Sequence, residues 1–495
     1  MIKIISTVLG VLFFITQPGI GQTLDNAIRI STLDHTGTAR YMGAGGAMTA
    51  LGADYSSAAY NPAGLALIRR SEVVFTPVLF NNHSFSTWDN ERNIDQFNNL
   101  QFTNVGLVIS SPVTASSTFT NFSFAFGYNR LANFHQNIFS QGYSAGTILD
   151  RFIALGDGKP PEEIDDFEVG PAYDVYALIY DDATQTYSSD LDPETKLFKE
   201  YTAINSGSVN EIFLSFAGNM EEKLMLGLTM SMPLVSITED RIYYDEDVNH
   251  FNDIYESFEF TEYGEVSGVG FQLKAGLIYR HSQAIRFGLA MHSPAWYSLS
   301  DEFYNSATFD YDVSQIPNGN IPPGPQTAES PIGSFDYNFT SPWRVMSGLG
   351  FLIANQGFLS FDIEYLDYTS SRYNFTRRNS NQFLSEERAQ NNEIESSLGT
   401  ALNFRVGAEW ANQSFRVRGG LQFIQNPFVE NDKRDFVWSI GAGIRSDDFF
   451  LDLAFQRSLV ESALNPYVVP GAESQPTILN EFEISRLALT AGFKF

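Results

Sequence analysis

Six arginines in the last third of the chain share a place in an alternating pattern. Each lies on the polar side of a segment in which every second residue is apolar, and the six are Arg344, Arg405, Arg416, Arg418, Arg445 and Arg486. A guanidinium can hold a carboxylate through two parallel hydrogen bonds, so these side chains are candidates for binding an acidic ligand. The alternative is that most of them pair with Glu409, Asp452 and acidic residues of the N-terminal region in an internal network.

Other kinds of site have little support in the sequence. The chain has no cysteine, which excludes disulfides, thiolate metal sites and cysteine nucleophiles. Acidic residues within 245–256 match the spacing of a calcium loop, but His250 stands where that loop requires glycine. No phosphate-binding loop and no histidine pair with metal-ligand spacing is present. We therefore expect no catalytic residue, no cofactor and no metal.

The charge distribution restricts the partners. With a net charge of −28, the chain has no electrostatic reason to bind nucleic acid. Between residues 131 and 208 there are 14 acidic residues against 4 basic ones, so much of the negative charge is expected on a solvated loop.

The N-terminus has the features of a secretory signal peptide. Lys3 precedes an apolar stretch at residues 4–15, and small residues precede Gln22. That stretch is too short to span a bilayer comfortably, and no later segment offers about 18 consecutive apolar residues. We expect residues 1–21 to be removed, and an α-helical membrane protein is not favoured.

From residue 72 onward the chain breaks into segments of alternating apolar and polar or small side chains. This pattern is typical of strands that face lipid on one side and a polar lumen on the other, although a soluble sandwich would also alternate. An aromatic content of 14% suits such strands. The predicted strands are 72–84, 101–110, 119–130, 210–218, 224–237, 262–280, 284–300, 334–353, 357–370, 401–411, 414–423, 436–445, 449–456 and 484–495.

The lengths of the connections test this interpretation independently. The joins alternate between short and long along the whole chain. The short ones are 111–118, 219–223, 281–283, 355–356, 412–413 and 446–448, and the long ones are 85–100, 131–209, 238–261, 301–333, 371–400, 424–435 and 457–483. Outer-membrane barrels have short periplasmic turns and long outer loops. The sequence therefore predicts an all-β fold, a 14-stranded antiparallel transmembrane β-barrel over residues 71–495.

The first part of the mature chain is expected to fill the barrel. Fourteen strands enclose a lumen too wide for inward side chains alone to occupy. Residues 22–70 lack strand alternation, are rich in Gly and Ala, and contain the helix-compatible pieces 24–32 and 47–51. We expect this segment to form a plug, or hatch, inside the lumen.

The same segment carries a resemblance to a known family. The runs GAGGAM at residues 43–48 and ADYSSAAYNPAGLA at 53–66 resemble the hatch of the FadL/TodX family, in which Asn-Pro-Ala also precedes the first strand. SPWR at 341–344, RVGAEW at 405–410 and VRGG at 417–420 are similar to the barrel of that family. Its members are outer-membrane channels for long-chain fatty acids and aromatic hydrocarbons.

The resemblance implies transport without catalysis. A hydrophobic or amphipathic solute would enter from the outer surface of a Gram-negative cell, shift the hatch, and leave sideways through a gap in the barrel wall. It implies a gating role for Asn61, Pro62, Ala63 and Gly64, whereas the simpler interpretation is that Asn61-Pro62 starts the turn into the first strand. A fatty-acid carboxylate would be the partner of the six arginines. We expect a monomer in contact with outer-membrane lipid and lipopolysaccharide.

Two other functions fit a plugged barrel. A structural or adhesive barrel would keep the plug permanently and use its long acidic loops to bind a partner or divalent ions. A general porin would instead let sugars pass.

Overall fold

The computed structural model describes residues 24–113, 117–192, 195–312, 314, 322, 324–354, 356–375, 381–431 and 433–495. The signal peptide expected at residues 1–21 lies outside them. Six α-helices are found in this part of the chain: α1 Leu24–Ser31, α2 Ala39–Gly43, α3 Ser57–Tyr60, α4 Ile148–Gly156, α5 Val169–Asp174 and α6 Asn381–Ser397. None of these described helices combines the length and apolar character needed to span a membrane.

The strands close into an antiparallel barrel, which confirms the predicted fold class. Fourteen wall strands each pair with the next wall strand, and the last pairs with the first. The wall strands are β1 Glu72–Trp88, β2 Glu91–Pro112, β3 Phe119–Asn133, β7 Leu197–Met220, β8 Leu224–Glu246, β9 Tyr255–Arg280, β10 Ile285–His292, β14 Arg344–Ile353, β15 Gly357–Asp367, β17 Thr400–Asn412, β18 Phe415–Gln425, β19 Arg434–Arg445, β20 Phe449–Leu464 and β21 Ile478–Lys494. The remaining strands extend the wall or belong to loops: β4 Gln136–Ser144, β5 Ile179–Asp181, β6 Thr186–Ser188, β11 Trp296–Tyr311, β12 Gln326–Glu329, β13 Gly333–Thr340 and β16 Arg372–Asn374.

The exterior of the barrel carries a continuous apolar belt. On β8, Leu228, Met230 and Met232 are exposed, whereas the alternate residues Thr229 and Ser231 are buried. Successive side chains of a strand point to opposite faces, so the apolar set faces outward and the small polar set faces the lumen. Similar exposed apolar residues lie on every neighbouring strand and form the belt on the half of the barrel near the short turns.

Most wall strands continue well past the belt, so several predicted loops are wrong. Residues 85–100, predicted as a loop, are strand on both sides of a tight turn at Asp89 and Asn90. Residues 238–246, 255–261 and 301–311 are likewise strand. Beyond the belt the outer face no longer meets an apolar surface, so its side chains become polar and the alternation that marks a membrane strand disappears.

Two predicted strands are each broken by a proline. The segment 284–300 divides at residues 293–295 into β10 and β11, and 334–353 divides at 341–343 into β13 and β14. Pro294 and Pro342 have no N–H to donate to the ladder. The breaks lie side by side and bond to each other, since the Ala295 N–H donates to the Ser341 hydroxyl at 2.8 Å.

The N-terminal segment, residues 24–70, is almost wholly buried. Of the two helix-compatible pieces, 24–32 contains α1, whereas 47–51 contains no helix and forms a turn at residues 49–51. Gly45, Gly46 and Gly52 around them have φ of +62°, +67° and +60°, a left-handed conformation that ends helical structure. A 3-10 helix at Pro62–Leu67 leads into β1.

Candidate functional site

The N-terminal segment lies against a belt of inward-facing glycines on the barrel wall. A β-carbon at any of these positions would lie within about 3 Å of an atom of the segment, so only glycine fits. Opposing pairs are Gly106 and Gly127 at Tyr55, Gly227 and Gly276 at Asn61 and Pro62, Gly288 and Gly348 at Thr49 and Ala50, and Gly407 and Gly420 at Ala44 and Gly45. Because these pairs surround the segment, it lies inside the cylinder with its backbone in contact with the wall.

The Asn61-Pro62-Ala63-Gly64 motif is part of this contact. The Asn61 amide donates to the Thr49 carbonyl at 2.6 Å and to the Leu277 carbonyl on β9 at 3.3 Å, and its oxygen accepts from the Ala63 N–H at 3.2 Å. Gly64 does not have positive φ; a β-carbon there would lie 2.7 Å from the α-carbon of Gly52. Asn61 therefore both starts the 3-10 helix and fixes it to the wall, while the gating role of the motif stays a prediction.

Four of the six predicted arginines lie buried in the lumen and form ion pairs. Arg344 and Arg405 both pair with Glu364, Arg418 pairs with Glu409 and Asp452, and Arg486 pairs with Asp34. Arg445 lies at 3.7 Å from Asp452 near the short-turn end. Arg416, also near a short turn, donates to the backbone carbonyls of Gln413 and Phe415. Ligand carboxylate binding by these residues stays a prediction.

The residues of these ion pairs also connect the barrel wall to the N-terminal segment. Glu364 is fully buried and also contacts the His35 ring at 2.9 Å, while Arg344 donates to the Ser31 carbonyl at 2.8 Å. On the opposite side, Arg40 lies 3.5 Å from Glu409. A buried charge that loses its partner is costly, so these networks hold the segment in one position.

The barrel wall is open on one side. β2 pairs with β3 only from Asn104–Asn129 to Pro112–Asn121, and no described strand continues the backbone ladder along residues 91–103 of β2 on that edge. Past Arg130, where the pairing of β3 with β7 becomes irregular, the chain turns inward, and β4 packs against the inner side of the β1–β2 hairpin. Ser84, which faces the lumen from β1, donates to the Asn137 carbonyl of β4 at 2.6 Å.

A cavity of about 460 Å³, here the side cavity, occupies this opening. Its walls combine the free edge of β2 with the inward bend of β3 and consist of Asn99, Leu100, Gln101, Phe102, Val105, Tyr128, Arg130 and His135. Leu100, Phe102 and Val105 are exposed and belong to the apolar belt on the exterior of the barrel. The volume lies in the range of about 300–1,000 Å³ that small-molecule sites have.

Asp34 joins the N-terminal segment to this opening. Its N–H donates to the Leu131 carbonyl at 2.8 Å, and its carboxylate accepts from the Asn133 N–H at 3.2 Å and from Arg486 at 2.9 Å. Thr36 donates to the Arg130 carbonyl at 2.9 Å. The bend of β3 that opens the wall is thus held by the same segment that fills the lumen.

Residues 145–192, here the outer cap, cover the end of the barrel that lies away from the short turns. Their apolar core includes Phe152, whose ring packs edge-on against Phe260 of β9 at a centroid distance of 4.9 Å. The carboxylate of Asp245 accepts from the hydroxyls of Thr147, Tyr243 and Tyr255 beneath the cap. On the outer surface, an aromatic groove of about 480 Å³ includes Tyr173, Tyr176, Phe309 and Tyr311.

Two buried ionisable groups lie under the outer cap. Burial lowers the pKa of Lys199 to about 8, and the charge of Asp245 opposes this shift. Burial also raises the pKa of Asp245, although hydrogen bonds from Thr147, Tyr255 and Tyr243 act in the opposite direction. The Lys199 ammonium donates to the Ala145 carbonyl at the start of the cap.

Sequence reasoning did not identify Asp34, the glycine belt or the side cavity. The glycines had a visible signal, since Gly407 and Gly420 occupy the inward position of their strands. Asp34 and the free edge of β2 had none, because both depend on contacts between residues far apart in the chain.

Known proteins with this fold were found among solved structures. A FadL homologue of Pseudomonas aeruginosa is 12% identical with a TM-score of 0.55, covering 94% of this chain and 100% of that chain. The toluene transporter TodX of Pseudomonas putida is 9% identical with a TM-score of 0.51, covering 93% and 99%. The toluene transporter TbuX of Ralstonia pickettii is 13% identical with a TM-score of 0.51, also covering 93% and 99%. At these identities the likeness shows the fold alone.

No family model and no curated protein matches the sequence.

Proposed function

We propose that this protein is a channel of the Gram-negative outer membrane for hydrophobic or amphipathic small molecules, such as long-chain fatty acids or aromatic hydrocarbons. The N-terminal segment acts as its hatch. The observation that carries this function is the side cavity, which lies at the break in the β2–β3 pairing within the apolar belt, while the hatch lies inside the barrel against the glycine belt.

A sideways exit suits an apolar solute. Release into the bilayer keeps its surface away from water, which is worth about 25 cal/mol for each Å² of apolar area. An axial exit would expose that area to the periplasm and would also require displacement of the hatch from the glycine belt. The aromatic groove on the outer cap is a suitable place for first contact, because its tyrosine and phenylalanine rings offer apolar surface.

Movement of the hatch would be communicated to the opening through Asp34. A solute that disturbs the Asp34 contacts with Asn133 and Arg486 frees the bend of β3, which forms one wall of the cavity. The ligand thereby alters the element that controls its own exit.

The test is uptake by liposomes that contain the purified protein. Saturable uptake of oleate or toluene above the level of empty liposomes is expected, and its complete absence for both rejects the function. Passage of sugars at comparable rates would instead identify a general porin.

A matched pair of valines tests the route. Val105 lines the cavity and Val417 faces outward on β18, away from it, with exposures of 41% and 42%. Val105→Trp is expected to reduce uptake by narrowing the opening, and Val417→Trp is expected to leave it unchanged. Equal uptake by both variants would contradict a sideways exit.

A structural or adhesive barrel is the second candidate, favoured by the folded, acidic outer cap. Deletion of residues 146–195 with a short linker spares β4 and β7. Lost partner binding with intact oleate uptake would support this alternative for the cap, and lost uptake would assign the cap to transport.

A further inference from the structure

We propose that Arg130 binds the carboxylate head of an amphipathic solute in the side cavity, so that the opening selects acidic amphiphiles over neutral ones. This role rests on the transport function proposed above and adds a substrate class to it. It also differs from the predicted role of the lumen arginines, because Arg130 lies at the exit rather than along the axis.

Arg130 has only uncharged side-chain partners in the described part of the chain. Its guanidinium donates to the Gln101 amide oxygen and to the Asn210 amide oxygen, the latter at 3.3 Å. By contrast, Arg344, Arg405, Arg418 and Arg486 in the lumen each pair with a carboxylate. Since Gln101 and Asn210 position the guanidinium without neutralising it, Arg130 retains a full positive charge for a ligand.

The position of Arg130 suits the head of an amphiphile. Along the outward face of β3, Phe122, Phe124, Phe126 and Tyr128 precede it, so Arg130 lies at the outer rim of the apolar belt. Asn210 takes the matching place on β7, directly opposite Arg130. A chain lying along the belt would therefore bring its carboxylate to the guanidinium.

The cavity around Arg130 accepts both parts of such a molecule. Leu100, Phe102 and Val105 offer apolar surface, and Phe97 stacks on the His135 ring at a centroid distance of 4.9 Å near the polar end. A carboxylate can take two parallel hydrogen bonds from one guanidinium, so its head can bind at Arg130 while its chain lies on the apolar residues.

A carboxylate fits better than a lipid phosphate. The cavity offers one uncompensated arginine, which matches a single negative charge. Lipopolysaccharide carries several negative charges close together, and the protein itself has a net charge of −28. Repulsion would therefore oppose a polyanionic headgroup at this place.

The decisive experiment compares two solutes that differ only in the head. Uptake of oleate and of oleyl alcohol is measured in liposomes containing the wild-type protein, Arg130→Gln or Arg130→Lys. Arg130→Gln is expected to lower the rate for oleate about tenfold or more, as loss of a charge-assisted pair implies, and to leave oleyl alcohol unchanged. Arg130→Lys keeps the positive charge but loses the planar guanidinium that donates two parallel hydrogen bonds, so an intermediate rate of oleate uptake is expected.

Arg434→Gln is the control, because Arg434 is an exposed arginine that lies over the Phe404 ring, far from the cavity, and forms no ion pair among the described residues. Equal loss of uptake of both solutes in Arg130→Gln would mean a structural role, and no loss for either solute would mean no role in uptake; both results overturn the assignment. Reduced lipopolysaccharide in the purified Arg130→Gln protein with unchanged oleate uptake would assign the residue to lipid phosphate instead. Failure of the wild-type protein to take up either solute would reject the transport function itself, which is a separate result.

Discussion

A disulfide that fixes the hatch to the wall should stop uptake. A β-carbon at position 43 would lie 3.5 Å from that of Ala454 on β20, at the lower end of the roughly 3.5–4.5 Å that disulfides require. The protein has no cysteine, so Gly43→Cys with Ala454→Cys allows a single disulfide. The bond would hold α2 against the wall in the position that it has in the structure.

The size of the effect follows from the fraction of bonded molecules. Flux is proportional to the population that can open, so oxidation of about 90% of the protein should reduce oleate uptake about tenfold. Addition of a reductant to the same liposomes should restore the original rate. The assay is initial uptake before and after reduction, with the bonded fraction measured by thiol labelling.

The control is a disulfide that joins two neighbouring strands of the wall and does not bond the hatch. A β-carbon at position 441 would lie 3.6 Å from that of Ala454, and the two residues are opposite each other on β19 and β20. Gly441→Cys with Ala454→Cys should therefore show no dependence on reductant. Unchanged uptake by the oxidised hatch-to-wall variant would refute a hatch that moves at α2 and would favour a permanent plug.

Three further changes test other parts of the account. Gly420→Val should displace the hatch, because a β-carbon there would lie 2.2 Å from the Gly45 nitrogen, and should make cells more permeable to large antibiotics; Gly419→Val, one residue away on the outer face, should not. Asp34→Asn should lower the free energy of unfolding by about 1–3 kcal/mol, measured by thermal denaturation, because it removes the charge from the bond to Arg486. Burial lowers the pKa of Lys199 to about 8, so between about pH 8 and 10.5 this lysine binds more protons when the cap is unfolded than when it is folded. The cap should therefore become more stable as the pH rises across this range, as followed in urea by the fluorescence of Trp88, which packs in the same apolar cluster. Lys199→Met should abolish this trend.

The sequence identified the barrel because a lipid-facing wall imposes a strict rule on side chains. Each of the 14 predicted strands contains residues of an observed wall strand, and the short turns lie where connection lengths placed them. The alternation of apolar and polar side chains ends where the apolar belt ends, which explains why residues 85–100 were predicted as a loop. The rule concerns only the alternation of side chains, so it does not mark the strand interruptions at Pro294 and Pro342, which follow from the missing N–H of proline.

The site was less predictable than the fold. Arg344, Arg405, Arg418 and Arg486 are buried on the lumen side, but a pattern with a period of two cannot say which carboxylate each of them meets. Glu364 and Asp34 became partners only through contacts across the barrel. Likewise, the side cavity arises because β3 bends away from β2, a property of two strands together rather than of either sequence.

The most direct test of the central claim is a crystal structure with a fatty acid that carries bromine near the end of its chain. Anomalous scattering locates the bromine without reference to the rest of the ligand. A bromine peak between β2 and β3, beside Leu100 and Phe102, is the predicted result. A peak at the short-turn end of the axis, with β2 and β3 paired along their full length, would contradict the sideways route.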